Sequence, residues 1–115
     1  MQKMPTEYEE CVVLAEYLDY KGYTYSHIPN ETFTRNWGTK MKNKRQGVKR
    51  GVPDYLIIVK SKVVFIEMKR KGRSVISKEQ KHWIDQLNKC DNVYAFVCKG
   101  ADEAIEAVTK VESII

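Results

Sequence analysis

The stretch GVPDYLIIVKSKVVFIEMKRKG, residues 51–72, contains two apolar runs that are separated by a short polar break. Both runs are rich in Val and Ile, which is typical of β-strands, and they predict strands over residues 54–60 and 63–69. The break between them is short enough for a hairpin turn. Because the runs are almost continuously apolar, we expect both faces of these strands to be covered.

Charged residues occur only at the ends of these two strands. Asp54 opens the first strand, and Glu67 and Lys69 close the second. Side chains alternate between the two faces of a strand, so Glu67 and Lys69 share one face. A hairpin also places the start of its first strand beside the end of its second. The sequence therefore predicts that two carboxylates and one ammonium meet at one end of the sheet.

Such a cluster has a chemical interpretation and a plainer alternative. Carboxylate oxygens that converge are suited to Mg²⁺ or Mn²⁺, and Lys69 beside them would stabilise negative charge on a phosphoryl group. In the alternative, Asp54 is a turn residue after Pro53, and Glu67 and Lys69 are solvated charges at a strand end.

The rest of the chain predicts helices around a small mixed sheet. The 115 residues correspond to one domain, 1–115. Capping signals and periodicity predict the order αβββαβα in the α/β class. The further elements are a helix over 6–20, a strand over 23–28, an irregular stretch over 29–52, a helix over 77–88, a strand over 92–98 and a helix over 102–110.

The positive charge is concentrated in one segment. The formal net charge is +5, and residues 32–53 contain seven basic residues and no acidic one. Clustered Lys and Arg release counterions from nucleic acid, so this segment is a candidate phosphate-binding arm. A solvated loop is the alternative. The best phosphate contacts are Arg45, Lys49 and Arg50, and Lys44 is a further DNA-binding candidate.

Cysteine usage and hydropathy limit the setting in which the protein acts. The three cysteines have no CxxC spacing, which disfavours a zinc site or a disulfide framework and fits a reducing cytosol. No apolar run approaches the roughly 18 residues of a membrane span, so we expect no membrane partner.

Several blocks of the sequence resemble a known nuclease family. PD at 53–54 with EMK at 67–69 resembles the PD-(D/E)XK nuclease signature. GVPDYLII, VFIEMKRKG and SKEQKHW resemble blocks of the virus-type replication-repair nuclease (VRR-NUC) family. YSHIPNE and KNKRQGVKRGVPD resemble its stand-alone phage members, and the resemblance extends from residue 7 to about residue 98.

The resemblance implies a fold, an activity and a setting. The fold is the restriction-endonuclease-like αβββαβ core. The activity is DNA phosphodiester hydrolysis by an endonuclease that depends on Mg²⁺ or Mn²⁺. Stand-alone members resemble Holliday-junction resolvases, which implies a homodimer that acts on branched DNA. Phage or prophage origin implies the cytoplasm of a bacterial host.

The resemblance also implies roles for individual residues. Asp54 and Glu67 become metal ligands, and the backbone carbonyl of Met68 completes the site. Lys69 becomes the catalytic lysine. Gln80, in SKEQ, would position Lys69, a water molecule or a phosphate.

The family places a further carboxylate on the first helix. Its spacing selects Glu7, which lies on one helical stripe with Cys11, and Glu10 is the alternative. The family often has Gln where this chain has Cys11. Asn30, in the family-like HIPNE, is a candidate for DNA binding.

Two other functions compete with this interpretation. A non-catalytic DNA-binding module would need the basic residues but not the carboxylates. A sequence-specific restriction-type endonuclease would need a region that reads base edges, and the chain offers little beyond the basic segment. Trp37 would stack on an unpaired base or anchor a dimer, whereas Trp83, at helical spacing, is predicted to lie in the core.

Overall fold

Helices flank a four-stranded sheet in the computed structural model, which describes residues 3–29 and 36–115. The predicted α/β class is confirmed. None of the helices in these ranges is long and apolar enough to cross a membrane. In chain order the elements are α1 (Glu7–Lys21), β1 (Thr24–His27), α2 (Trp37–Gln46), β2 (Tyr55–Val59), β3 (Lys62–Lys69), α3 (Lys78–Leu87), β4 (Val93–Lys99) and α4 (Ala101–Glu112).

The sheet is mixed, with its strands in the spatial order β1-β2-β3-β4. β1, β2 and β3 are antiparallel neighbours, whereas β4 runs parallel to β3. Because β4 runs parallel to β3, the chain must return from the end of β3 to the other end of the sheet before β4 begins. Helix α3 lies in this connection. The first residue of α3 therefore lies near the end of β3.

The main core lies between one face of the sheet and the helices α1 and α4. Ile57, Val64, Ile66 and Met68 are fully buried on this face. Helix α1 contributes Leu14 and Leu18, and α4 contributes small residues that allow it to approach the strands closely. These helices leave the other face to α3.

The opposite face of the sheet is only partly covered, so the expectation that both faces are covered is wrong for part of the sheet. Ile58 is 40% exposed on this face, and Leu56 and Phe65 are half-buried. Helix α3 packs on β4, at one side of the sheet. A continuous apolar run shows that a strand is hydrophobic, but it does not show where a helix packs on the sheet.

The predicted hairpin is confirmed, with its turn one residue earlier than expected. Lys60 and Ser61 form the two-residue turn, and both have positive φ, 44° and 52°. This left-handed pair matches the twist of antiparallel strands, although neither residue is the Asn or Gly that usually adopts it. The turn fixes the register in which Tyr55 pairs with Ile66.

Helix α2 lies inside the stretch that the sequence predicted to be irregular, and for these residues the prediction is wrong. The Asn36 side chain accepts a hydrogen bond from the Thr39 N–H at 3.0 Å and caps the helix. Gly47, with φ of +85°, ends it. The helix buries no residue, so the apolar stripe that reveals most helices is missing.

Glu10 ties α1 to the start of α4. Its side chain is 5% exposed, and its Oε1 accepts a hydrogen bond from the Ala101 N–H at 3.1 Å. A carboxylate at a helix N-terminus is stabilised by the unpaired N–H groups there. A Cβ on Gly100, whose φ is +88°, would come 2.9 Å from Glu10 Oε2. Glu10 therefore has a structural environment between two helices.

We expect the Glu10→Ala variant to lose about 2 kcal/mol of unfolding free energy, because it loses both the cap and a buried contact. Urea unfolding measures this loss. Glu16→Ala, an exposed change on the same helix, is the matched control and should stay within about 0.5 kcal/mol of wild type. Equal stability of Glu10→Ala and wild type would contradict the capping role.

Candidate active site

Asp54 stands immediately before β2 and connects three strands at one end of the sheet. Its Oδ2 accepts a hydrogen bond from the Met68 N–H at 2.7 Å. Its backbone carbonyl accepts a hydrogen bond from the Ile28 N–H, just beyond β1. Asp54 therefore extends the pairing of β2 with β3 by one residue beyond the Tyr55–Ile66 pair, and it lies opposite Glu67.

Glu67 and Lys69 point from β3 toward α3, on the face opposite the main core. Glu67 is 4% exposed. The Lys69 Nζ lies 4.0 Å from the Glu67 Oε2, and its side chain is 14% exposed. Met68 points the other way and is fully buried in the core. The structure thus brings Asp54, Glu67 and Lys69 together, as the alternation of side chains predicts.

Gln80 joins these residues to α3. Its Nε2 donates to the Glu67 Oε2 at 3.2 Å, and its Oε1 accepts a hydrogen bond from the Lys69 Nζ at 2.9 Å. The same Oε1 accepts from the Ser77 N–H at 2.9 Å, and the Gln80 N–H donates to the Ser77 Oγ at 3.1 Å. These last two bonds form the capping box of α3. One amide therefore both starts the helix and holds Glu67 and Lys69.

The segment before β2 sets the position of α3. Gly51 has φ of +91°, and a Cβ on it would come 2.5 Å from the backbone carbonyl carbon of Glu79. Only glycine allows this approach. One residue earlier, the Arg50 carbonyl accepts a hydrogen bond from the Trp83 indole N–H at 3.1 Å. The chain leading into Asp54 is thus packed directly against the helix that carries Gln80.

The electrostatics of the site are dominated by Glu67. The pKa of Glu67 is raised from 4.5 to about 8; burial is the largest cause, the neighbouring Asp54 carboxylate is the next, and Lys69 opposes both. Two carboxylates in one poorly hydrated place repel each other. A bound cation would relieve this repulsion.

Glu7, in the first turn of α1, lies within electrostatic reach of this cluster. Partial burial raises the pKa of Glu7, Asp54 raises it further, and Lys69 and His27 lower it. Glu10 instead contacts the start of α4. The two candidate carboxylates of α1 are thus separated by the helical rotation of about 300° between them, and the one near the sheet end is Glu7.

The basic candidates lie on the surface beside the same helix. Lys44 and Arg45 are in the last turn of α2, and Lys49 and Arg50 lie between α2 and β2. All four are exposed. Asn30 lies outside the residues that the structure describes. Its DNA-binding role stays a sequence-based prediction.

The donor set fits a hard divalent cation. Within residues 3–29 and 36–115, no three His, Cys, Asp or Glu side chains are close enough to form a ready-made metal cluster. Mg²⁺, however, is usually held by one or two carboxylates, together with water and substrate phosphates. Asp54 and Glu67 provide two carboxylates, and after burial, the nearby Asp54 is the next cause that raises the pKa of Glu67.

Sequence reasoning missed two features of the site. The first is the double role of Gln80, although Ser77 and Gln80 have the S-x-x-Q spacing of a capping box and could have revealed it. The second is Trp83, which was predicted to lie in the core. It is half-buried and lines a groove at the surface, because Arg50 accepts its N–H there.

Comparisons with known proteins agree with this geometry. The family model described as "VRR-NUC domain" matches residues 5–102. A solved structure titled "VRR_NUC domain protein" is similar, with a TM-score of 0.73 and 28% sequence identity over 96% of this chain and 90% of that chain. No curated protein matches the chain. The matched range contains both strands of the hairpin and the helix that carries Gln80.

Proposed function

The chain belongs to the VRR-NUC family, and from this membership we propose that it is a divalent-metal-dependent endonuclease that hydrolyses phosphodiester bonds in DNA. The observation that best supports the proposal is the contact of Gln80 with both Glu67 and Lys69, beside Asp54. A DNA-binding module without catalysis has no need to bury a carboxylate against a second one.

In this proposal, Asp54 and Glu67 hold Mg²⁺ or Mn²⁺, with the backbone carbonyl of Met68 as a further ligand. When bound, the cation supplies Lewis acidity and offsets negative charge on the phosphoryl group. The chain contributes the fixed positions of the two carboxylates. The Met68 N–H orients Asp54, and the Gln80 amide orients Glu67.

Lys69 supplies a positive charge that the site keeps available. Gln80 accepts one of its N–H donors, and an ammonium carries three. The Glu67 oxygen is 4.0 Å away, so the two charges attract each other without a close ion pair. Lys69 is thereby placed to orient the attacking water and to stabilise the charge that develops on phosphate.

A cleavage panel tests the proposal. Labelled four-way junctions, flaps and linear duplexes are incubated with the protein in Mg²⁺, Mn²⁺ or EDTA. We expect cleavage of branched DNA with either metal and none in EDTA. Binding without cleavage in both metals would favour a non-catalytic module. Cutting of linear duplex at one sequence would favour a restriction-type enzyme.

We also propose that the active form is a homodimer. Each chain provides one site, whereas a symmetric four-way junction requires two cuts, and a two-fold dimer supplies two equivalent sites. Light scattering of the protein, alone and with a four-way junction, measures the mass. A monomer in both conditions would contradict this proposal.

The proposed setting is the cytoplasm of a bacterial host, with phage or prophage origin. Cys11, Cys90 and Cys98 are all free thiols, which is compatible with a reducing compartment. The likeness of YSHIPNE and KNKRQGVKRGVPD to stand-alone phage members supports the origin.

Glu7→Gln is expected to lower cleavage by about 10- to 100-fold, the range typical of groups that support a metal site. Raised Mn²⁺ should partly restore activity, because a helix carboxylate beside the main ligands affects metal occupancy more than chemistry. The measurement is single-turnover cleavage over a metal titration. Glu16→Gln, exposed on the same helix, is the control. Normal cleavage by a folded Glu7→Gln variant would remove Glu7 from the site.

Replacing Arg45, Lys49 and Arg50 together with Gln should weaken duplex binding and flatten its salt dependence. Each lost phosphate contact reduces the slope of log affinity against log salt by about 0.9. Fluorescence anisotropy in EDTA measures binding without cleavage. The control changes Lys21, Lys60 and Lys89, which lie toward the hairpin end of the sheet, away from Asp54. Equal slopes of log affinity against log salt for the two triple variants would show that the basic segment does not contact DNA phosphates.

A further inference from the structure

A groove runs along α3 outside the cluster of catalytic candidates. Its volume is about 660 Å³, and its walls include Lys49, Arg50, Lys78, His82 and Trp83. The walls are mostly hydrocarbon, supplied by the indole ring and the stems of long side chains. The groove is thus an apolar slot with cationic groups around it.

The groove begins within one helical turn of the site. Gln80, which contacts Glu67 and Lys69, precedes Trp83 by three residues on α3, a rise of about 4.5 Å. A DNA strand that passes over Lys69 and continues along α3 would next meet the indole.

The indole is held in a fixed orientation. Its N–H donates to the Arg50 carbonyl at 3.1 Å, and that segment is itself locked against α3 by Gly51. A pre-positioned aromatic plane stacks on a flat ligand with little loss of side-chain entropy. The fixed ring is therefore suited to a nucleobase.

The charges around the groove favour an anionic chain. Lys49, Arg50 and Lys78 line it, against one carboxylate, Glu79. Proteins that bind single-stranded nucleic acid combine such cations with aromatic rings on which bases stack. In a duplex, neighbouring base pairs already cover both faces of each base, so an indole inside a groove reaches unpaired bases only.

We propose that this groove binds the unpaired nucleotides of a DNA strand next to the cleaved bond, with one base stacked on Trp83 and phosphates bound by Lys49, Arg50 and Lys78. The inference rests on the proposed nuclease function and adds a subsite to it.

Tryptophan fluorescence provides the direct test. The chain has two tryptophans, so Trp37→Phe leaves Trp83 as the only indole. This variant is titrated in EDTA with an oligothymidylate of about ten nucleotides, within the site sizes common for single strands, and with a blunt duplex of equal length. We expect the single strand to quench the Trp83 emission and the duplex to leave it nearly unchanged. Binding of the single strand without quenching would overturn the inference.

Affinity measurements with matched variants provide a second test. Trp83→Leu should bind the single strand about tenfold more weakly, the scale of one lost base stack, whereas Trp83→Phe keeps most of the affinity. Tyr20→Leu removes an aromatic ring that is 87% exposed near the end of α1, and it should have little effect. Wild-type affinity in Trp83→Leu would overturn the inference, as would an equal loss for duplex and single strand.

Two further outcomes separate this inference from others. If Trp83→Leu converts a dimer into a monomer, the groove holds a second copy of the chain and the inference is wrong. If Trp83→Leu does not fold, the fluorescence titration and Trp83→Phe decide. If the single strand quenches Trp83 but the protein cleaves no DNA, the nuclease proposal is wrong and the proposed single-strand subsite stands. If the protein cleaves DNA but the single strand does not quench Trp83, the nuclease proposal stands and the subsite is wrong.

Discussion

Asp54→Asn, Glu67→Gln and Lys69→Ala should each reduce DNA cleavage by at least about 100-fold. The first two remove a proposed metal ligand, and with it the Lewis acidity on which the proposed reaction depends. The third removes the positive charge that we propose stabilises the developing charge on phosphate, a class of change that costs about 100- to 1,000-fold in other enzymes. Single-turnover cleavage of a labelled junction measures the losses.

Binding and folding must be followed in the same variants. DNA affinity in EDTA should stay within a few-fold of wild type, because the basic residues of α2 and the following segment are untouched. Melting temperatures should show folded proteins. Wild-type turnover by any of the three would mean that the residue concerned is not part of the site.

Glu67→Gln also has an expected signature in stability. The folded-state pKa of Glu67, about 8, lies above the ordinary 4.5, so the folded protein binds this proton more tightly than the unfolded chain. The associated stability is present below pH 4.5 and is lost as the pH rises through about 8. In EDTA, the unfolding free energy of wild type should therefore fall more than that of Glu67→Gln between pH 5 and 9, because the folded-state pKa of about 8 lies above 4.5.

Gln80→Glu should lower cleavage by about 100-fold while leaving α3 capped. A Glu at this position preserves the S-x-x-E capping box. It replaces the Gln80 Nε2, which donates to the Glu67 Oε2 at 3.2 Å, with a negatively charged carboxylate oxygen. Loss of such a supporting contact commonly costs about 10- to 100-fold, and the like charge adds to it. Cleavage rate and metal affinity are both measured.

The capping box of α1 supplies the matched control. Thr6 and Glu9 repeat the arrangement of Ser77 and Gln80, and Glu9 is exposed. Glu9→Gln exchanges the same two residue types in reverse and should leave cleavage and stability nearly unchanged. Equal activity of Gln80→Glu and wild type would show that Gln80 only caps its helix.

The central part of the site was predictable because local rules determine it. A two-residue turn fixes the antiparallel register, which places Asp54 opposite Glu67. Alternation of side chains then puts Lys69 on the same face as Glu67. Gln80 was implied only by the family resemblance. Its distance from β3 depends on how closely Gly51 approaches Glu79, which is a tertiary contact.

Other features follow no local signal. Helix α2 has caps but no apolar stripe, so periodicity does not reveal it. The half-covered face at Ile58 and the surface position of Trp83 have one common cause, since α3 packs on β4 rather than across the sheet. Periodicity shows which apolar residues share one face of an element, but it does not show which other element packs against that face.

The capping box of α3 has a consequence for the timescale on which the site exists. Helix ends open far more often than whole domains unfold, and amide hydrogen exchange reports such local opening. Opening of the first turn of α3 would break the Ser77–Gln80 bonds and release Lys69 and Glu67 in the same event. The fraction of molecules with an assembled site therefore follows the opening equilibrium of one helical turn, and mild heat or denaturant should abolish cleavage before the chain unfolds.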